Sequence, residues 1–135
     1  MRFISQRITI VNIRKPYEKT INEQLQWMGT SLGLFNLRDR NKSCFRIFID
    51  LLKSSKDKKS LTSDQIADNL NLSRGTVIHH INRLMEAGIV IHEGNMYMLR
   101  VDNLSDLIDE IEKDIRRTLE DLRNAAENID TKLNR

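Results

Sequence analysis

Between Leu61 and Val101 the chain is punctuated so densely that few arrangements remain open to it. Thr62 followed by Gln65 is the pattern of a capping box, in which two side chains satisfy the orphan N–H groups that open a helix. The apolar spacing predicts a short helix there, carrying Ile66, Ala67 and Leu70. Asn71 and Leu72 make a turn, and Ser73 caps a second helix that keeps Val77, Ile81 and Leu84 on one face. Gly88 ends that helix as the left-handed residue past its C-terminus. Two short apolar runs, 89–91 and 96–99, then flank Glu93, Gly94 and Asn95, a tight-hairpin signal. Helix, turn, helix and β-hairpin within about 40 residues is the order of a winged helix-turn-helix.

That order makes a physical demand on the second helix, read as about Ser73 to Ala87. Its N-terminal residues must face outward if they are to reach base edges in a major groove. Its inward positions are aliphatic, while Ser73, Arg74, Thr76, His79 and Arg83 can face away. Ser73 is a cap in any case and can also bring neighbouring amides to a phosphate. Arg74 is the side chain best suited to touching DNA, and Arg83, deeper in the helix, suits a phosphate better than a base. His79 and His80 point about 100° apart on a helix, so they cannot ligate one metal together. His79 is read as facing the groove and His80 as packed. In the wing, Asn95 and Arg100 are the candidate backbone contacts, and Glu93 would repel a phosphate.

The stretches 61–67, 72–81 and 84–90 together resemble the ArsR-type winged-helix transcriptional regulators, most closely in style the archaeal members with a long C-terminal helix. The resemblance covers about 45 residues. It implies a homodimer that lays its second helix in the major groove of double-stranded DNA and its wing against the backbone. The cysteine pair of metal-sensing members has no counterpart here, since Cys44 is the only cysteine. Asp64 and Asp68, four apart, read as solubilising carboxylates. No metal and no cofactor is expected, and whether an effector binds stays open.

The flanks differ in charge. Residues 1–60 hold 13 Lys or Arg against five Asp or Glu, whereas residues 101–135 hold six against ten. A basic front suggests affinity for phosphates outside the motif, with Lys56, Lys58 and Lys59 in the polar loop 54–60 as candidates. Residues 3–14, rich in isoleucine, predict a strand that must pair with the wing, with itself or with a second chain. Ile21, Leu25, Met28, Leu32 and Phe35 predict a helix containing Gly29 and Gly33, which Trp27 anchors to the core, with ligand stacking the lesser alternative. A further helix is read over 40–53. From Leu104 on there is neither Gly nor Pro, and Leu104, Ile108, Ile111, Ile115, Thr118, Leu122, Ala125 and Ile129 follow a heptad repeat. This stripe is read as a dimerisation helix, or else as packed along the Ile21–Phe35 helix.

The expected fold is therefore mainly α with a small β component (α+β), in three parts: 1–37, the winged helix 38–102, and the dimerisation helix 103–135. No nucleophile motif, phosphate loop or carboxylate cluster suggests an enzyme. No apolar run approaches the roughly 20 residues of a membrane span. With a single cysteine and no secretory pattern, a cytoplasmic protein is expected. The competing function is an architectural DNA-coating protein, or a protein-interaction winged helix of the transcription machinery.

Overall fold

The computed structural model describes residues 5–15, 17, 20–35 and 41–134. Five helices and one small sheet follow in the order α1 (Ile21–Ser31), α2 (Ser43–Lys56), β1 (Leu61–Thr62), α3 (Ser63–Leu70), α4 (Arg74–Glu86), β2 (Val90–Glu93), β3 (Met96–Leu99) and α5 (Leu104–Leu133). The architecture is mainly helical with a three-stranded antiparallel sheet of order β1-β3-β2, as a winged helix-turn-helix requires.

The local signals explain most boundaries. The capping box at Thr62 and Gln65 is complete, with both reciprocal hydrogen bonds made, at 3.1 and 2.8 Å. Asn71, left-handed at φ 54°, ends α3, and Ser73 accepts the N–H of Thr76 to open α4. Gly88 takes φ 80° after α4, a conformation that a Cβ disfavours. β1 is a short element that the sequence did not announce. It pairs with β3, Leu61 beside Tyr97 and Thr62 beside Met96, and closes the sheet against α3.

Four expectations need correction. The isoleucine-rich N-terminal segment is not a strand among its described residues, 5–15; Phe3 and Ile4 lie outside them. Its N–H groups instead meet the orphan carbonyls at helix C-termini: Arg7 donates to Glu86 O at 2.9 Å and Val11 to Ser31 O at 2.8 Å. The first helix stops at Ser31 rather than reaching Phe35, because Gly33 turns the chain at φ 73°. Gly29, inside that helix, lies where an added Cβ would be 2.7 Å from the ring of Phe45. The next helix starts at Ser43, the Arg40 start lying outside the described residues, and runs through Lys56, absorbing the first three residues of the expected loop. Trp27 is only half-buried, and its indole N–H donates to Ile13 O at 3.0 Å, pinning the N-terminal segment.

One hydrophobic core joins all three of the expected parts. Ile47, Phe48 and Leu51 of α2 meet Ile66 of α3, Val77, Ile81 and Leu84 of α4, and Leu99 of β3. Leu32, Leu34 and half-buried Ile8 enter from the N-terminal side, and Leu107 and Ile111 from α5. The helix-turn-helix is thus packed continuously onto its flanks.

Candidate nucleic-acid interface

The outer surface of α4 is built by the burial of its other side. Val77, Ile81 and Leu84 are fully enclosed and His80 is buried, which fixes the helix rotation and turns its first turn to solvent. Ser73, Arg74, Gly75 and His79 are exposed and Thr76 is half-exposed. The two histidines differ in burial as helical geometry demands, their rings meeting edge to face with centroids 5.1 Å apart. The Ser73 hydroxyl donates to the Thr76 hydroxyl at 2.8 Å, which holds both side chains at the helix entrance. Arg74 extends over the neighbouring helix, where its Nε lies 3.6 Å from Asp64. Both side chains of that pair are more than 70% exposed, so it holds Arg74 only weakly.

Gly75 adds a feature that sequence reading passed over. It costs helix propensity, roughly 1 kcal/mol relative to alanine. No atom lies within 4 Å of where its Cβ would be, so intramolecular packing does not explain it. A bare backbone in an exposed first turn lets a phosphate or sugar approach the helix N–H groups closely. The signal, a glycine two residues after the cap Ser73, was present in the sequence.

The wing supplies less. Gly94 and Asn95 form its exposed tip, and His92 Nδ1 lies 3.2 Å from Gly94 O, which stiffens the turn. Arg100 is not available there and leaves the set of DNA contacts. Its side chain is 4% exposed and lies against α5, 2.6 Å from Asp114 and 3.4 Å from Glu110. Asp114 also pairs with Arg117 and accepts from Gln6 at 2.8 Å. Burial pushes the Asp114 carboxyl up, but the hydrogen bonds from Arg100 and Gln6 and the charges of Arg100 and Arg117 outweigh it. The net result is a carboxyl below its ordinary value.

Arg83 is also turned away. It is half-buried, reaches Gly33 O at 3.4 Å, and faces the end of α1 instead of the outer surface. Lys56, Lys58 and Lys59 are exposed, but they precede β1 at the end of the sheet remote from the wing tip. Ser55 there donates to Asp102 O at 3.1 Å, beside the root of α5. The structure thus gathers Ser73, Arg74, Thr76 and His79 at the entrance of α4, and the lysines precede β1 away from the wing tip.

The apolar stripe of α5 divides in two. Ile111 belongs to the monomer core, with Leu104 and Ile115 half-buried against it, and Ile108 lines a groove beside α1. Beyond residue 115 every described residue of the helix is exposed. Leu122 and Ile129 stand there with Leu119 and Leu133, which the heptad reading left out in favour of Thr118 and Ala125. The four share one helical face over about 21 Å of helix, with no partner among the described residues.

Helix-turn-helix with an attached wing defines a class of DNA-binding domain. Residues 50–92 match the model of the arsR family of bacterial regulatory proteins, from the second half of α2 through α3 and α4 into β2. This third of the chain is an ArsR-like helix-turn-helix, which supports a DNA-binding transcription regulator. No curated protein and no solved structure gives a match to the chain. Among the described residues no three His, Cys, Asp or Glu side chains come together to hold a metal. Nor is any described helix long and apolar enough to cross a membrane.

Proposed function

We propose that this regulator reads a specific sequence in double-stranded DNA as a homodimer. The observation that carries the reading is the rotation of α4: its enclosed face leaves Ser73, Arg74, Gly75, Thr76 and His79 at an open helix entrance. Arg74 has the fork geometry for a guanine edge, and Thr76 and His79 offer shorter donors and acceptors beside it. The N-terminal N–H groups of α4, bared by Gly75, bind a phosphate. Asn95 meets the backbone from the wing tip. Lys56, Lys58 and Lys59, with the basic N-terminal half, raise the attractive field without contacting the site directly.

Specificity for more than a few base pairs needs two copies. The unpartnered face of Leu119, Leu122, Ile129 and Leu133 supplies the pairing surface, because an apolar stripe of that length is not stable in water alone. Selection of binding sites from random duplex DNA tests the proposal. The expected result is an inverted repeat with half-sites about 34–36 Å apart or a multiple of that. Uniform coating of any duplex would instead identify an architectural protein, and recovery of no DNA a protein-interaction module.

A further inference from the structure

Beside the root of α5 lies a groove of about 450 Å³, within the range of small-molecule sites. Its walls come from Ile10 of the N-terminal segment, Met28 of α1 with Leu32 just past its end, and Ile108 of α5. Trp27 forms a further wall. Its indole N–H is already spent on Ile13 O, so it offers the groove an apolar ring and no donor.

The few polar groups carry one sign of charge. Lys15 lines the groove with its ammonium 5.7 Å from the Trp27 ring centroid, and Gln24 is the one amide side chain in the lining. Among the described residues no Asp or Glu lines it. Ser31, another lining residue, has a buried hydroxyl without a hydrogen-bond partner among the described residues, a condition that an acceptor head group would relieve. An apolar trough whose one cation among the described residues is Lys15 fits a ligand with a hydrophobic body and one negative charge. A coiled-coil partner helix would bring a charged, two-sided surface to the same place.

We infer that this groove binds an apolar carboxylate, an aliphatic or aromatic acid of about ten carbons, with its tail along Trp27, Met28 and Ile108 and its carboxylate at Lys15. The site stands independently of the DNA reading, since it is assayed without DNA. Trp27 is the only tryptophan of the chain, so its emission reports on the groove.

The test titrates the full chain with decanoate, decanol and decylammonium below their micellar concentrations, by Trp27 fluorescence and by calorimetry. Decanoate is expected to saturate with about one site per chain and to bind more tightly than decylammonium. Lys15→Gln should weaken decanoate by up to about fivefold, as befits an exposed ion pair. Lys15→Glu should reverse the preference, to decylammonium over decanoate, with an unchanged thermal melt showing that the fold is intact. Three results would overturn the inference: no saturable response to any probe, equal binding of the two charged probes, or decanoate binding that vanishes as the chain self-associates. The last would show that a second copy covers the groove.

Discussion

Replacing Asp114 by asparagine should destabilise the protein far more than a surface ion pair would allow. The Asp114 and Arg100 side chains are 1% and 4% exposed and 2.6 Å apart. The amide keeps the shape of the carboxyl but leaves the guanidinium of Arg100 buried without its main counter-charge. Removing one member of a buried pair costs about 3–5 kcal/mol. Glu110, 3.4 Å from Arg100 and 30% exposed, keeps part of the compensation, so a loss of about 3 kcal/mol is expected. At roughly 3–4 °C per kcal/mol for a chain of this size, the midpoint of thermal unfolding falls by about 10 °C.

The pH dependence follows from the lowered carboxyl. A group whose folded value lies below its unfolded one contributes fully above the unfolded value, about 3.9, and loses that contribution as pH falls through the folded value. Thermal melts of the wild type and Asp114→Asn should therefore differ most near neutrality and converge below about pH 4. The double variant Arg100→Met with Asp114→Leu, which removes both charges, should recover most of the loss. A loss below about 1 kcal/mol, or a difference constant down to pH 2, would refute the buried-pair reasoning.

Other consequences are as direct. Gly75→Ala should raise thermal stability, by up to about 1 kcal/mol, while weakening DNA binding in the same preparation. A gain in both would remove Gly75 from the interface. Charge reversal of Lys56, Lys58 and Lys59 together should change the slope of log affinity against log salt by less than about one, whereas three direct phosphate contacts would change it by about 2.7. Leu122→Glu should convert a dimer to a monomer in analytical ultracentrifugation without changing the circular dichroism of the folded domain; an undisturbed dimer would place the interface elsewhere. Gly29→Ala should lose about 1–2 kcal/mol in a melt, since the Phe45 ring must move to admit the methyl group.

Where a signal was local, the sequence carried it. The capping box at Thr62, the Ser73 cap and the Gly88 stop depend on residues within a few positions of one another, and each appears where its spacing placed it. That His79 is exposed while His80 is buried followed from helix geometry alone. Arg100 was misread because its partner, Asp114, lies on a separate element and looked like one more surface acid in an acidic tail. The N-terminal segment has the strand propensity of its isoleucines, but its Arg7 and Val11 N–H groups meet the carbonyl ends of α4 and α1, which no composition reveals. Arg83 reads as an outward cation until the turn at Gly33 supplies it with an acceptor. In α5 the apolar face was evident, yet the choice between Thr118 and Leu119 needed the rotation that core packing of Leu107 and Ile111 imposes.

The central claim is that the first turn of α4 reads sequence while the charges outside it supply only attraction. The most direct measurement compares wild type with Arg74→Ala on a selected duplex and on a scrambled one, at one fixed salt concentration. Loss of a bidentate base contact is worth about 1–3 kcal/mol of discrimination, so the ratio of the two affinities should fall by roughly tenfold or more, with little change on the scrambled duplex. An equal loss on both duplexes would make Arg74 a phosphate contact, and no loss on either would place sequence reading outside α4.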